Sequence, residues 1–95
     1  MKLRVVKKKL LRKRLLDLGF EEDTGKDHIF FYFKYGGKIV VRMKYSHGGN
    51  EIRQPMLGLI SKQLQLDREA FEGFLKGEMV TKDYISVLKR KGKIE

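Results

Sequence analysis

Cysteine and tryptophan are absent from this chain of 95 residues, and proline occurs once. Without cysteine there is no disulfide and no thiolate metal site, so apolar burial must hold the fold. The lack of cysteine fits a reducing, cytoplasmic setting. Long apolar runs are missing as well. No stretch nears the ~20 residues needed to span a bilayer, and Val5-Val6 and Leu10-Leu11 are interrupted by lysines and arginines, which leaves no signal-peptide core. No membrane partner is expected. A Gly-rich phosphate loop, a serine-nucleophile motif and paired catalytic carboxylates are not visible. No cofactor and no metal are expected. Histidine is scarce, with only His28 and His47.

Acid is missing from one region in particular. Residues 1–14 carry eight basic side chains and no carboxylate, within a chain of net charge +10. A second basic cluster, Lys89, Arg90, Lys91 and Lys93, lies near the other end. Concentrated positive charge attracts polyanions and speeds their encounter, which points to RNA as partner. The competing explanation is a lysine-rich surface serving solubility alone.

The length suits a single domain over residues 1–95, and an apolar content of 41% supplies a modest core. Leu3, Val6, Leu10, Leu11, Leu15 and Leu18 recur at helical spacing, which predicts a helix over about 3–18, stopped by Gly19. A short strand over about 20–24 follows. Strands over about 27–35 and 38–45 flank Gly36-Gly37, a pair suited to a two-residue turn with positive φ.

That turn sets Tyr35 opposite Lys38, Phe33 opposite Val40, Phe31 opposite Arg42 and His28 opposite Tyr45. His28, Phe30 and Tyr32 then share the expected core face with Val41, Met43 and Tyr45. Phe31 and Phe33 fall on the other face, where they are expected to lie beneath the C-terminal helices. Residues 46–53 read as a loop. Pro55 opens a second helix with Leu57, Ile60 and Leu64 inward. Asp67 caps a third helix and Thr81 a fourth. The expected class is α+β: an α-β-β-β-α sandwich with an antiparallel three-stranded sheet, helices on one face, and one or two short C-terminal helices.

Leu18-Gly19-Phe20 at the helix end, Lys26-Asp27-His28-Ile29-Phe30 entering the second strand, Tyr45-Ser46-His47 closing the third, and Glu51-Ile52 before Leu57, Ile60 and Gln63 together form a pattern. Over about residues 6–66 it resembles the HicA toxins, small messenger-RNA interferases with a double-stranded-RNA-binding-like fold. Residues 67–95 form a helical extension to it. Asp27 stands where that family has a small residue, and Ser46 where it has proline. The resemblance implies a toxin–antitoxin system, an antitoxin protein as partner, and RNA cleavage assigned to the histidine at position 28.

The chemistry of His28 suits that role. An imidazole exchanges protons near neutrality and needs no metal to do so. Hairpin pairing brings His47 to the same end, where it is expected to orient the phosphate or carry the second proton. Asp23, Asp27 and Glu51 lie near enough in sequence to complete a metal site, but no ligand spacing supports one. Charge for RNA contact is expected from Lys8, Lys9, Arg12 and Lys13 on the first helix, from Arg42 and Lys44 on the third strand, and from Lys89, Arg90 and Lys91. The expected function is RNA binding, with metal-independent endoribonuclease activity if the resemblance extends to chemistry. The alternatives are a non-catalytic RNA- or ribosome-associated module and a protein–protein adaptor.

Overall fold

The computed structural model describes residues 5–94. Its elements run β1 (Val5–Lys7), α1 (Lys8–Leu18), β2 (Glu21–Thr24), β3 (His28–Tyr35), β4 (Lys38–Ser46), β5 (Glu51–Arg53), α2 (Met56–Gln63), α3 (Arg68–Leu75) and α4 (Thr81–Arg90). This is an α+β fold. Strands β2, β3 and β4 form an antiparallel sheet in that order, and β1 pairs antiparallel with β5 in a separate two-stranded ladder.

Leu11, Leu15 and Leu18, spaced four and three apart, form the inner stripe of α1 and are almost fully buried. Gly19 ends the helix at φ +102°, a conformation that glycine adopts without steric cost. The helix is shorter than its apolar spacing predicts. Val5–Lys7 is a strand: two β-branched valines disfavour helix, and Ile52 is available as a partner for Val6. The predicted positions before Val5 lie outside the described residues. The predicted 46–53 loop contains β5, because Ile52 pairs with Val6 of β1.

The Gly36-Gly37 turn forms with both φ values positive and sets Tyr35 opposite Lys38. Beyond it the expected register fails. Lys34 pairs with Ile39 but Phe33 pairs with Val41, so Val40 is an extra residue in β4, a β-bulge. The slip reverses the expected faces. Phe31 and Phe33 are buried with Val41, Met43 and Tyr45, while His28, Phe30 and Tyr32 lie on the opposite face with Arg42 and Lys44.

The helices pack on the buried face. Tyr84 of α4 sits with its ring centroid 5.0 Å from Phe33 and 5.6 Å from Phe20, and its hydroxyl donates to the Leu64 carbonyl at 2.8 Å. The side chain is fully buried, which pushes its phenol well above the usual tyrosine range. The Asp67 carboxylate caps α3 by accepting from the Ala70 N–H at 2.8 Å. At α4 the cap falls one residue earlier than expected, on Val80, whose N–H donates to Asp83. Thr81 instead donates its hydroxyl to the Leu18 carbonyl, tying α4 to the end of α1. Among the described residues no helix is long and apolar enough to cross a membrane.

Candidate nucleic-acid interface

The face of the sheet that the helices leave open carries three columns of side chains. β2 contributes Glu21 and Asp23. β3 contributes His28, Phe30 and Tyr32. β4 contributes Arg42 and Lys44. Glu21 pairs with Tyr32 and Tyr32 with Arg42; Asp23 pairs with Phe30 and Phe30 with Lys44. The face is therefore acidic along one edge, aromatic at the centre and basic along the other edge.

Phe30 and Tyr32 are two residues apart on one strand, so their rings stand side by side. The ring planes are 2° apart, with centroids separated by 6.3 Å. Both are half-buried, leaving part of each ring open to solvent. On the acidic edge Glu21 holds Lys34 at 3.0 Å. Arg42 and Lys44 have no carboxylate partner among the described residues and are both exposed.

A groove of about 410 Å³ runs between the aromatic centre and α2, lined by Phe30, Tyr32, Arg42, Met43, Lys44 and Gln63. Gln63 closes its far side. The Oε1 atom of Gln63 accepts from the Lys44 main-chain N–H at 3.2 Å, which covers part of the β4 edge. No sequence pattern singled out Gln63 as a groove residue, because its neighbour there is set by the packing of α2 on β4.

The two histidines lie at the same end of the sheet, in different surroundings. His28 opposes Ser46 and is half-buried on the open face, its ring 6.1 Å from that of Phe30. His47 follows β4, and its Nε2 lies 2.8 Å from the Gly25 carbonyl. A carbonyl only accepts, so that nitrogen carries a hydrogen and donates it. His47 thereby ties the end of β4 to the β2–β3 turn, and no hydrogen bond joins the two rings among the described residues.

The helix-one cations are largely used within the protein. The Lys8 ammonium donates to the Ser46 carbonyl at 2.7 Å and also to the Gly48 carbonyl, and lies 5.1 Å from the centre of the Tyr45 ring. Arg12 makes a two-pronged ion pair with Glu22, both contacts 2.8 Å. The hydrogen bond to Glu22, with its charge, raises the Arg12 guanidinium further above its ordinary value. Lys13 pairs with Asp17 at 3.3 Å across one helical turn, an exposed pair of small energetic weight. Lys9 is exposed and lines a second groove, of about 650 Å³, with Lys7, Lys8, Asn50 and Arg53. Lys89 and Arg90 occupy the last turn of α4, with Lys91 as its C-cap, where positive charge also complements the helix dipole.

Among the described residues no group of three or more histidines, cysteines or carboxylates stands close enough to hold a metal ion. No protein-family model, curated protein or solved structure matches this chain.

Proposed function

We propose that this protein is a cytoplasmic RNA-binding protein whose contact surface is the open face of the β2-β3-β4 sheet. The observation that carries this reading is the parallel Phe30–Tyr32 pair beside two cations with no carboxylate partner among the described residues. Bases stack on aromatic rings whatever their identity, and flanking Arg and Lys engage the phosphates. The half-open rings and the exposed cations beside them put stacking surface and positive charge on one face, the combination that single-stranded RNA engages.

Fluorescence anisotropy of a labelled single-stranded RNA at rising salt tests the reading. Affinity is expected to fall steeply with salt, as phosphate contacts require. Phe30→Ala and Tyr32→Ala are each expected to weaken binding about tenfold, in line with the usual value of a base–aromatic stack. Binding that ignores salt, or a double alanine variant that binds as well as the parent, would sink the proposal. A protein that binds no RNA and self-associates through Phe30 and Tyr32 would make the face a homodimer contact.

A second reading, metal-independent RNA cleavage in the manner of the HicA family with an antitoxin as protein partner, is favoured by one observation. His28 stands at the end of the aromatic column, on the face where RNA is proposed to lie. An imidazole there reaches bound RNA without rearrangement of the sheet. His47, with one nitrogen committed to Gly25, is better suited to holding the turn than to carrying a proton. Fragments that form in the presence of a chelator and disappear in His28→Ala would establish cleavage. Intact RNA after prolonged incubation would leave binding alone.

A further inference from the structure

We infer that the basic groove beside the start of α1 is a second contact for the RNA proposed to lie on the sheet, and that it grips the phosphate backbone beyond the end of β4. The inference rests on the sheet-face reading and lengthens its footprint.

Position comes first. The Lys8 ammonium donates to the carbonyl of Ser46, the last residue of β4, at 2.7 Å, and also to that of Gly48. Lys8 lines the groove of about 650 Å³ together with Lys7, Lys9, Asn50, Glu51 and Arg53. One side chain thus touches both places, and the groove begins where β4 ends. Lys44 and Arg42 precede Ser46 by two and four residues on the same strand, so all three share the open face. Ser46 itself pairs with His28. A strand of RNA that leaves the Phe30–Tyr32 rings along β4 therefore passes His28 before it meets the groove, and is held on both sides of that residue.

The chemistry of the groove suits phosphate. Four of its residues are basic and one is acidic, and that one, Glu51, is held by Arg53 at 3.0 Å. Lys8 gives its hydrogens to carbonyls, which leaves its charge uncancelled. Lys7 and Lys9 are exposed, and their ammonium groups have no internal partner among the described residues. No aromatic or aliphatic residue lines the groove. It offers a base nothing to stack on, so it engages the backbone whatever the sequence. These lysines do not serve the helix either. Lysine occupies the N-cap and the first two positions of α1, with no acid in the first turn, and positive charge there opposes the helix dipole.

The test measures oligouridines of about 4 and about 12 nucleotides, both within the range of single-strand site sizes, on the full chain at rising salt. Lys7→Gln combined with Lys9→Gln is expected to weaken the longer oligomer about tenfold at about 0.1 M salt. Its slope of log affinity against log salt should fall by about 2, one for each phosphate released. The shorter oligomer, which the sheet face alone accommodates, should change by less than about twofold, because at this salt a charge is felt over only ~10 Å. Lys89→Gln combined with Lys91→Gln removes the same charge from residues that do not line the groove, and should leave both oligomers within about twofold of the parent. The groove variant should melt no lower than the parent, since Lys7 makes no side-chain cap and the helix dipole is relieved. Equal losses for the two oligomers, an unchanged slope, or an equal loss in the α4 variant would overturn the inference, while Phe30-dependent binding of the shorter oligomer kept the sheet-face reading. Failure to bind either oligomer would overturn both.

Discussion

Reversing Arg42 and Lys44 together to glutamate is expected to lower RNA affinity by roughly 10²-fold at about 0.1 M salt, with the fold intact. Both side chains project from β4 on the open face and make no ion pair among the described residues, so reversal breaks no internal bond. Each is expected to neutralise one phosphate. The slope of log affinity against log salt should therefore fall by about 2 in the double variant. Helix one provides the contrast. Arg12→Glu would place a second carboxylate against Glu22 and so perturb the fold itself, which makes Lys9→Glu the appropriate comparison. If Lys9→Glu weakened binding more than the β4 double variant, the main contact would move to the groove lined by Lys7, Lys9 and Arg53.

Tyr84→Ala is expected to destabilise the protein by about 3–5 kcal/mol, the usual cost of removing a large aromatic from a core. A domain of this kind has about 5–15 kcal/mol in total, so Tm should fall by at least about 12 °C. The reason lies in what the ring joins. It packs against Phe33 from the sheet and Phe20 from the end of α1, and its hydroxyl satisfies the Leu64 carbonyl. Tyr84→Phe keeps the packing and loses only that hydrogen bond, at about 1 kcal/mol.

The same residue gives the parent protein an alkaline limit. An unfolded tyrosine ionises near pH 10, while burial holds the folded phenol neutral to higher pH. Below pH 10 both states keep the proton and stability is unaffected. Above it the unfolded state ionises first, so stability falls as pH rises. Thermal melts at increasing pH should show this decline in the parent and a weaker one in Tyr84→Phe. A Tyr84→Ala protein melting within a few degrees of the parent would show that α4 does not anchor the core.

Features governed by neighbours in the chain were readable from the residues. The Leu11, Leu15 and Leu18 stripe, the Gly19 stop, the Gly36-Gly37 turn and the Asp67 cap each depend on residues a few positions apart, and each forms where expected. The face of β3 was not readable in this way. Phe30-Phe31-Tyr32-Phe33 is aromatic at every position and has no alternation to mark an inner side. β4 does alternate, with Val41, Met43 and Tyr45 inward, but transferring that parity to β3 requires the position of the bulge. One extra residue at Val40 exchanged core and surface along the whole strand.

The charges were countable, yet their commitments were hidden. Lys8 meets carbonyls at the end of β4 and in the loop after it, and Arg12 meets Glu22 on β2, contacts that only the folded chain brings about. The groove residue Gln63 depends in the same way on where α2 comes to rest. β1 and β5 are three residues each, too short for periodicity to register.

That small ladder bears on the order in which the molecule assembles. The β3–β4 hairpin closes over two residues and can form on a microsecond scale. Val6 and Ile52, by contrast, are partners separated by nearly half the chain, and their pairing must wait until the intervening helix and strands have drawn the ends together. The ladder is thus a clasp fastened late. It shares its place with the Lys8 ammonium and with the Lys8 N–H that donates to the Asn50 carbonyl. Unfastening it is expected to release the first strand and the 47–50 loop as one unit, while Leu11, Phe31 and Tyr84 stay packed. Opening of that seam is expected to precede global unfolding, so that in native-state hydrogen exchange the Lys8 amide exchanges at a lower free energy than the amides of β3 and β4.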